Sequence, residues 1–149
     1  MVHRIQAIIT RGLAAFVFAA GLAGGSQAQT SAATTVPTPG FASRQVLVAP
    51  ITGFDAKQVV LVAVTLEPGA SSPLHMHPGD CHGSVLEGAI ELKVQGQEPR
   101  RIAAGESYST MASVPHQFTN TGDKPARLLN TLVVDKGKPA TSPAPAPVR

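Results

Sequence analysis

Tryptophan is absent from this chain, tyrosine and cysteine each occur once, and only 14% of its 149 residues are charged. Each scarcity removes a class of explanation. The lone cysteine, Cys81, cannot form an internal disulfide, so the chain is no disulfide-stapled scaffold even if it works where disulfides persist. One tyrosine and no cluster of Lys or Arg supply neither the stacking platform nor the electrostatic footprint that nucleic acid requires, and nucleic acid is excluded as a partner. There is no Ser/His/Asp order, no glycine-rich phosphate loop and no paired carboxylates beside the histidines, which leaves nucleophilic hydrolysis and phosphoryl transfer without support. No segment carries a convincing helical period, and no apolar run reaches the roughly 20 residues of a membrane span.

What is present begins at the N-terminus. Arg4 and Arg11 precede an apolar run from Gly12 to Ala23, and small residues lead to Ser26-Gln27-Ala28. A basic start, a short apolar run and a small-residue site are the three parts of a secretory leader over residues 1–28. Cleavage is expected after Ala28, giving a periplasmic or secreted protein with no membrane association after cleavage; lipid attachment would need a cysteine there. Arg4 and Arg11 depart with the leader and no acid does, so the formal charge of +3 falls close to neutrality. Residues 29–40 and 137–149 are rich in Ser, Thr, Ala and Pro and too poor in large apolar groups to offset the entropy of ordering. They read as a flexible linker and a disordered tail around one domain, residues 41–136.

Within that domain Gln58 to Glu67 is a β-branched run apolar on both faces, as a central strand would be. Further strands are expected at Arg44 to Ala49, His82 to Leu86, Ala89 to Gln95, Ser107 to Met111, His116 to Thr119 and Ala126 to Asp135. Ile90, Leu92 and Val94 alternate with Glu91, Lys93 and Gln95, the two-residue period of a half-buried strand. Short strands at close spacing predict an all-β sandwich or barrel.

Every histidine after the leader falls in two short segments: His75, His77 and His82, then His116. In extended backbone residues i and i+2 share a face about 6.5–7 Å apart, so His75 and His77 can share one ion, and His116 from a distant strand would complete the set. Taken alone, the pair fits solvated loop histidines equally well, since Pro73, Pro78 and Gly79 flank it. The wider pattern is more specific. The first segment reads Gly69-x5-His75-x-His77-x3-Cys81-x6-Gly88, the second Gly105-x5-Met111-x-Ser113-x2-His116-x3-Asn120.

These segments resemble the two signature motifs of the cupin superfamily, and the resemblance runs from Glu67 through Asn120. It implies a single cupin-type jelly-roll (double-stranded β-helix) barrel with His75, His77 and His116 as metal ligands in its mouth. Gly69 and Gly88 fall at turns that suit positive φ. The chain departs from the family where Cys81 stands in place of a glutamate and where Met111 and Ser113 replace a proline and a glycine. A Cys81 thiolate would favour a soft ion; His82 is an alternative fourth ligand; an open three-histidine site is the third option. The expected cofactor is one divalent transition metal, Fe, Zn, Cu or Ni. Phe118 would share the inward face with His116, whereas Glu87 and Glu106 are expected outside. Two functions follow: a metal-dependent small-molecule enzyme of dioxygenase or other oxidoreductase type, or a non-catalytic periplasmic module binding a metal or small ligand. The catalytic residues and substrate are not identified. The resemblance also implies a homodimer, with Phe41 to Pro50 as a candidate pairing edge.

Overall fold

The computed structural model describes residues 38–145. The expected leader and most of the expected linker lie outside the described residues. Ten strands follow one another: β1 (Phe41–Pro50), β2 (Lys57–Leu66), β3 (His75–Met76), β4 (Cys81–Glu87), β5 (Ala89–Val94), β6 (Arg100–Ala103), β7 (Ser107–Thr110), β8 (His116–Asn120), β9 (Ala126–Asp135) and β10 (Ser142–Pro143). No helix of the described residues is long and apolar enough to cross a membrane.

The strands form two antiparallel sheets, ordered β1-β2-β9-β4-β7 and β10-β3-β8-β5-β6. This is the all-β jelly-roll architecture that the motifs imply. Alternation decides which side chains face inward. On β9, Ala126, Leu128, Asn130, Leu132 and Val134 are buried while Arg127, Val133 and Asp135 are exposed. On β8 the inward row is His116, Phe118 and Asn120. The expected run from Gln58 is β2, an interior strand, but β9 occupies the middle of that sheet.

Buried side chains gather in two clusters. The larger includes Leu66, Ile90, Ile102, Tyr108, Phe118 and Leu128; the smaller holds Val60, Cys81, Leu132, Val134 and Ala140, and Val62 packs against both. Each fully buried Leu, Ile, Val or Phe contributes roughly 1.5–3 kcal/mol, so these clusters hold the sheets face to face. Asn120, fully buried, ties strand ends together: its Nδ2 donates to Leu66 O and Lys124 O, and its Oδ1 accepts from Gly122 N–H. The asparagine that closes the second motif therefore has a structural role.

Gly69 and Gly88 have φ of 74° and 75°, as their turn positions suggest. Ser113 is the informative case. It stands where the family motif has glycine, and its φ is 61°, the left-handed region that favours glycine. The loop keeps this conformation because three contacts hold it. Val114 N–H donates to Met111 O, Ala112 N–H donates to Asp80 Oδ1, and Ser113 N–H donates to His77 O. The last bond ties the loop before His116 directly to another histidine.

Residues 137–145 depart from the disorder expected of the tail, and residues 146–149 lie outside the described residues. β10 pairs with β3 through Ser142–Met76 and Pro143–His75, Ala144 N–H donates to Leu74 O, and Ala140 is 7% exposed. Poor side-chain hydrophobicity is offset here by backbone hydrogen bonds to the free edge of a strand.

Candidate metal centre

β3 and β8 lie side by side with His75 opposite His116, and their ring centroids are 4.3 Å apart. His77 follows β3 by one residue, so the i, i+2 relation turns it to the same side; its centroid is 4.9 Å from that of His75 and 5.0 Å from that of His116. One ligand atom from each of the three lies within 4.8 Å of the others. The sequence expectation of a three-histidine cluster assembled from two distant segments is thus what the fold brings together.

The orientation of each ring is set by a backbone carbonyl. His75 Nδ1 pairs with Pro73 O at 2.8 Å, His77 Nδ1 with Ala140 O at 2.8 Å, and His116 Nδ1 with Val114 O at 2.9 Å. A carbonyl only accepts, so each Nδ1 carries the proton and each Nε2 keeps a lone pair. The Nε2 atoms of His77 and His116 are buried with no hydrogen-bond partner. Burial and mutual repulsion keep the rings neutral. Desolvation, then the neighbouring His116, lower the His75 pKa to about 4; desolvation, opposed by the Ala140 bond, lowers that of His77 to about 4; desolvation lowers that of His116. Neutral, fixed imidazoles with buried unpartnered lone pairs, each held by a carbonyl at the other nitrogen, are what a metal ion requires.

The centre opens on a cavity of about 500 Å³ between the two sheets. His75, His77, Val64, Phe118, Asn130 and Leu132 are its buried lining residues. Phe118 packs 5.8 Å from His75 and 5.6 Å from His116, fulfilling its expected inward position.

Cys81 is inward and buried, but the mutually close ligand atoms are those of the three histidines and do not include its sulfur. It packs instead among Val60, Leu132, Val134 and Ala140. Desolvation pushes its thiol up to about 11, with Thr110 opposing, so without an ion the side chain is a neutral thiol. His82, one residue on, points the other way and is exposed. Glu87 and Glu106 are exposed as well.

Residues 62–134 match the family model described as a cupin domain. The folded domain belongs to the cupin superfamily. The chain is 32% identical over 75 residues to the HTH-type transcriptional regulator PuuR of Escherichia coli, a match covering 50% of this chain and 40% of the regulator. Among solved structures, a recombinant oxalate oxidase in complex with glycolate aligns with a TM-score of 0.58 at 24% identity, covering 71% of this chain and 56% of that one. A Klebsiella pneumoniae protein with a double-stranded β-helix domain aligns at 0.58 with 21% identity, covering 74% and 90%. At these identities the two structures speak to the fold alone. Within the cupin framework the glutamate position is held by Cys81, and the three histidines are the mutually close groups that could hold a metal ion.

Two contributors to the site escape a reading of the sequence. Ala140 acts through its carbonyl, which every residue possesses, so no side chain announces it. Asn130 is visible in principle: it is the one polar residue in the inward row of β9.

Proposed function

We propose that this protein is an exported cupin that binds one transition-metal ion through the Nε2 atoms of His75, His77 and His116 and acts on a small molecule admitted to the adjoining cavity. The observation that carries this reading is the set of three imidazoles whose Nδ1 protons are committed to carbonyls, leaving their Nε2 lone pairs to the ion. When bound, the ion supplies a Lewis-acidic or redox-active centre with coordination positions left open by a three-ligand set, the pattern of catalytic rather than closed structural sites. Oxidoreductase chemistry, of the dioxygenase type first, suits a neutral three-histidine set. The chain's own residues bind and orient: the three carbonyls fix the rings, Phe118 walls one side, and the buried apolar lining excludes water.

A second reading is a non-catalytic periplasmic module that senses or stores a metal or small ligand. It draws on the match to a transcriptional regulator, a protein named for regulation rather than turnover. Export rests on the leader-like N-terminus. A second copy of the chain is the proposed partner for β1, an edge strand with Val46, Leu47 and Val48 40–50% exposed. Edges of this length and character pair readily.

The test is metal content, melting temperature and oxygen consumption of untagged protein purified from the periplasm, beside His116→Ala. One equivalent of metal is expected in the parent and none in the variant. At an ion concentration about 100 times its dissociation constant, the parent gains roughly 2.7 kcal/mol that the variant lacks. Metal-dependent turnover supports the enzyme; tight metal retention without turnover supports the binding module; metal in neither sample overturns both. Sedimentation of the same sample as a monomer would remove the paired β1 edge.

A further inference from the structure

The register of the sheet facing the histidines aligns Tyr108 on β7, Gly83 on β4 and Asn130 on β9 in one row. Gly83 has no side chain, and the two neighbours meet in the space above it: the Tyr108 hydroxyl donates to Asn130 Oδ1 at 2.6 Å. A Cβ on Gly83 would collide with the Tyr108 ring and with Asn130 Oδ1, so the gap is a condition of the pair. Burial raises the Tyr108 pKa, which keeps the hydroxyl protonated and donating.

That bond fixes the amide. With Oδ1 taken by Tyr108, the Nδ2 hydrogens of Asn130 are left to point elsewhere, and they make no hydrogen bond to the described residues. Asn130 is 3% exposed and lines the cavity shared with His75 and His77. The Asn130 nitrogen is not among the fully enclosed polar atoms that lack a partner, so it reaches the cavity space, where an acceptor on an entering molecule can take its hydrogen. Tyr108 needs only the oxygen of the amide, and the donor stays available to that molecule.

The rest of the lining restricts what that acceptor is attached to. None of the described lining residues is Lys, Arg, Asp or Glu, and Val62, Val64, Phe118 and Leu132 make apolar walls. A cavity of about 500 Å³ lies in the range that holds small organic molecules. An anionic group against these walls has no side chain of opposite sign to meet it, and only an ion held by the histidines could pair with it.

Building on the reading of the histidines as a metal centre, we infer that the cavity takes a largely apolar carbonyl compound whose oxygen is held by the Asn130 Nδ2–H. Asn130 is then a specificity-determining residue, and Tyr108 is a positioning residue that acts through it.

The test measures binding of acetophenone and its deoxygenated analogue ethylbenzene to the full chain by NMR titration, with metal content measured in every sample. Asn130→Asp leaves an oxygen for Tyr108 and removes the donor; Asn130→Leu removes both; Tyr108→Phe frees the amide to turn. The parent should prefer acetophenone over ethylbenzene by about ten-fold, the worth of one hydrogen bond, and the Asn130 side-chain amide signals should shift during the ketone titration. Both Asn130 variants should lose the preference while the Asn130→Leu affinity for ethylbenzene changes less than about two-fold. Tyr108→Phe should reduce the preference and leave ethylbenzene binding alone, a split that mere loosening of the core would not produce. A preference that survives in both Asn130 variants, or no binding of either probe at millimolar concentration, overturns the inference. Absence of metal with the Asn130-dependent preference intact would overturn the metal reading alone; metal present with no preference would overturn this one alone.

Discussion

The sheet that carries the histidines and the sheet across the cavity from it present opposite hydrogen-bonding character to the same space. From β3 and β8 come lone pairs, the Nε2 atoms of His77 and His116, buried and without partners. From β9 comes a donor, the Asn130 amide, set by Tyr108 above Gly83. The titratable groups on the two sides move in opposite directions under one cause: desolvation lowers the histidines and raises Cys81 and Tyr108. All are thereby neutral near pH 7, so a bound ion would be the principal charge in an otherwise uncharged chamber. That contrast gives an ion a strong field and a single orientation axis across the cavity.

Acid should break the histidine wall first and hardest. Unfolded histidines take up protons below about pH 6.5, whereas folded His75 and His77 do so only near 4. Between those values the unfolded chain binds more protons than the folded one, so stability falls as pH drops through that window and is flat above it. The loss reaches roughly 3 kcal/mol per histidine. Equilibrium unfolding of metal-free protein from about pH 7.5 to about pH 4.5 should show this slope, and His75→Ala should make it shallower; a flat profile would mean the rings are hydrated in solution.

Gly83→Ala attacks the opposite wall. Its Cβ has no room between Tyr108 and Asn130, and overpacking of this kind costs about 1–3 kcal/mol. Metal content should stay at one equivalent, because none of the three histidines stands in that row. Loss of metal would show that the walls are coupled.

Cys81→Ala sharpens the same boundary with a smaller effect. Truncating a side chain packed among Val60, Leu132 and Val134 should cost on the order of 1 kcal/mol in unfolding free energy, with metal retained. Loss of metal would place the cysteine among the ligands after all. The smallest change is a gain: Ser113→Gly relieves a left-handed residue and should stabilise by about 0.5 kcal/mol, set against the extra chain entropy of glycine.

The strands longest in alternation are legible in the amino-acid sequence: β2, β4, β5, β7, β8 and β9 all fall on runs with a two-residue or wholly apolar pattern. β3, β6 and β10 are not: two residues are too few to show a period, β6 opens on Arg100-Arg101 with Ile102 its one buried residue, and their places are set by backbone pairing with a neighbour. The histidine cluster is legible because spacing alone places His75 and His77 on one face and the motif ties them to His116. Cys81 can be placed inward by alternation, but its distance from the histidines depends on which strand it shares a sheet with, and β4 lies in the sheet opposite β3 and β8. Asn130 announces itself only as a polar break in an apolar row, a signal that acquires meaning once Tyr108 and Gly83 are known to lie beside it.

The carbonyl of Ala140 orients His77, yet it lies 63 positions further along the chain than the ring it holds. The centre is therefore completed late: a nascent chain that has already produced all three histidines still lacks the group that aims one of them. Cleavage of the chain ahead of Ala140 would have the same consequence, leaving the walls of the barrel intact and His77 without the carbonyl that aims it. The aim of His77 is in that sense a readout of an intact segment around Ala140.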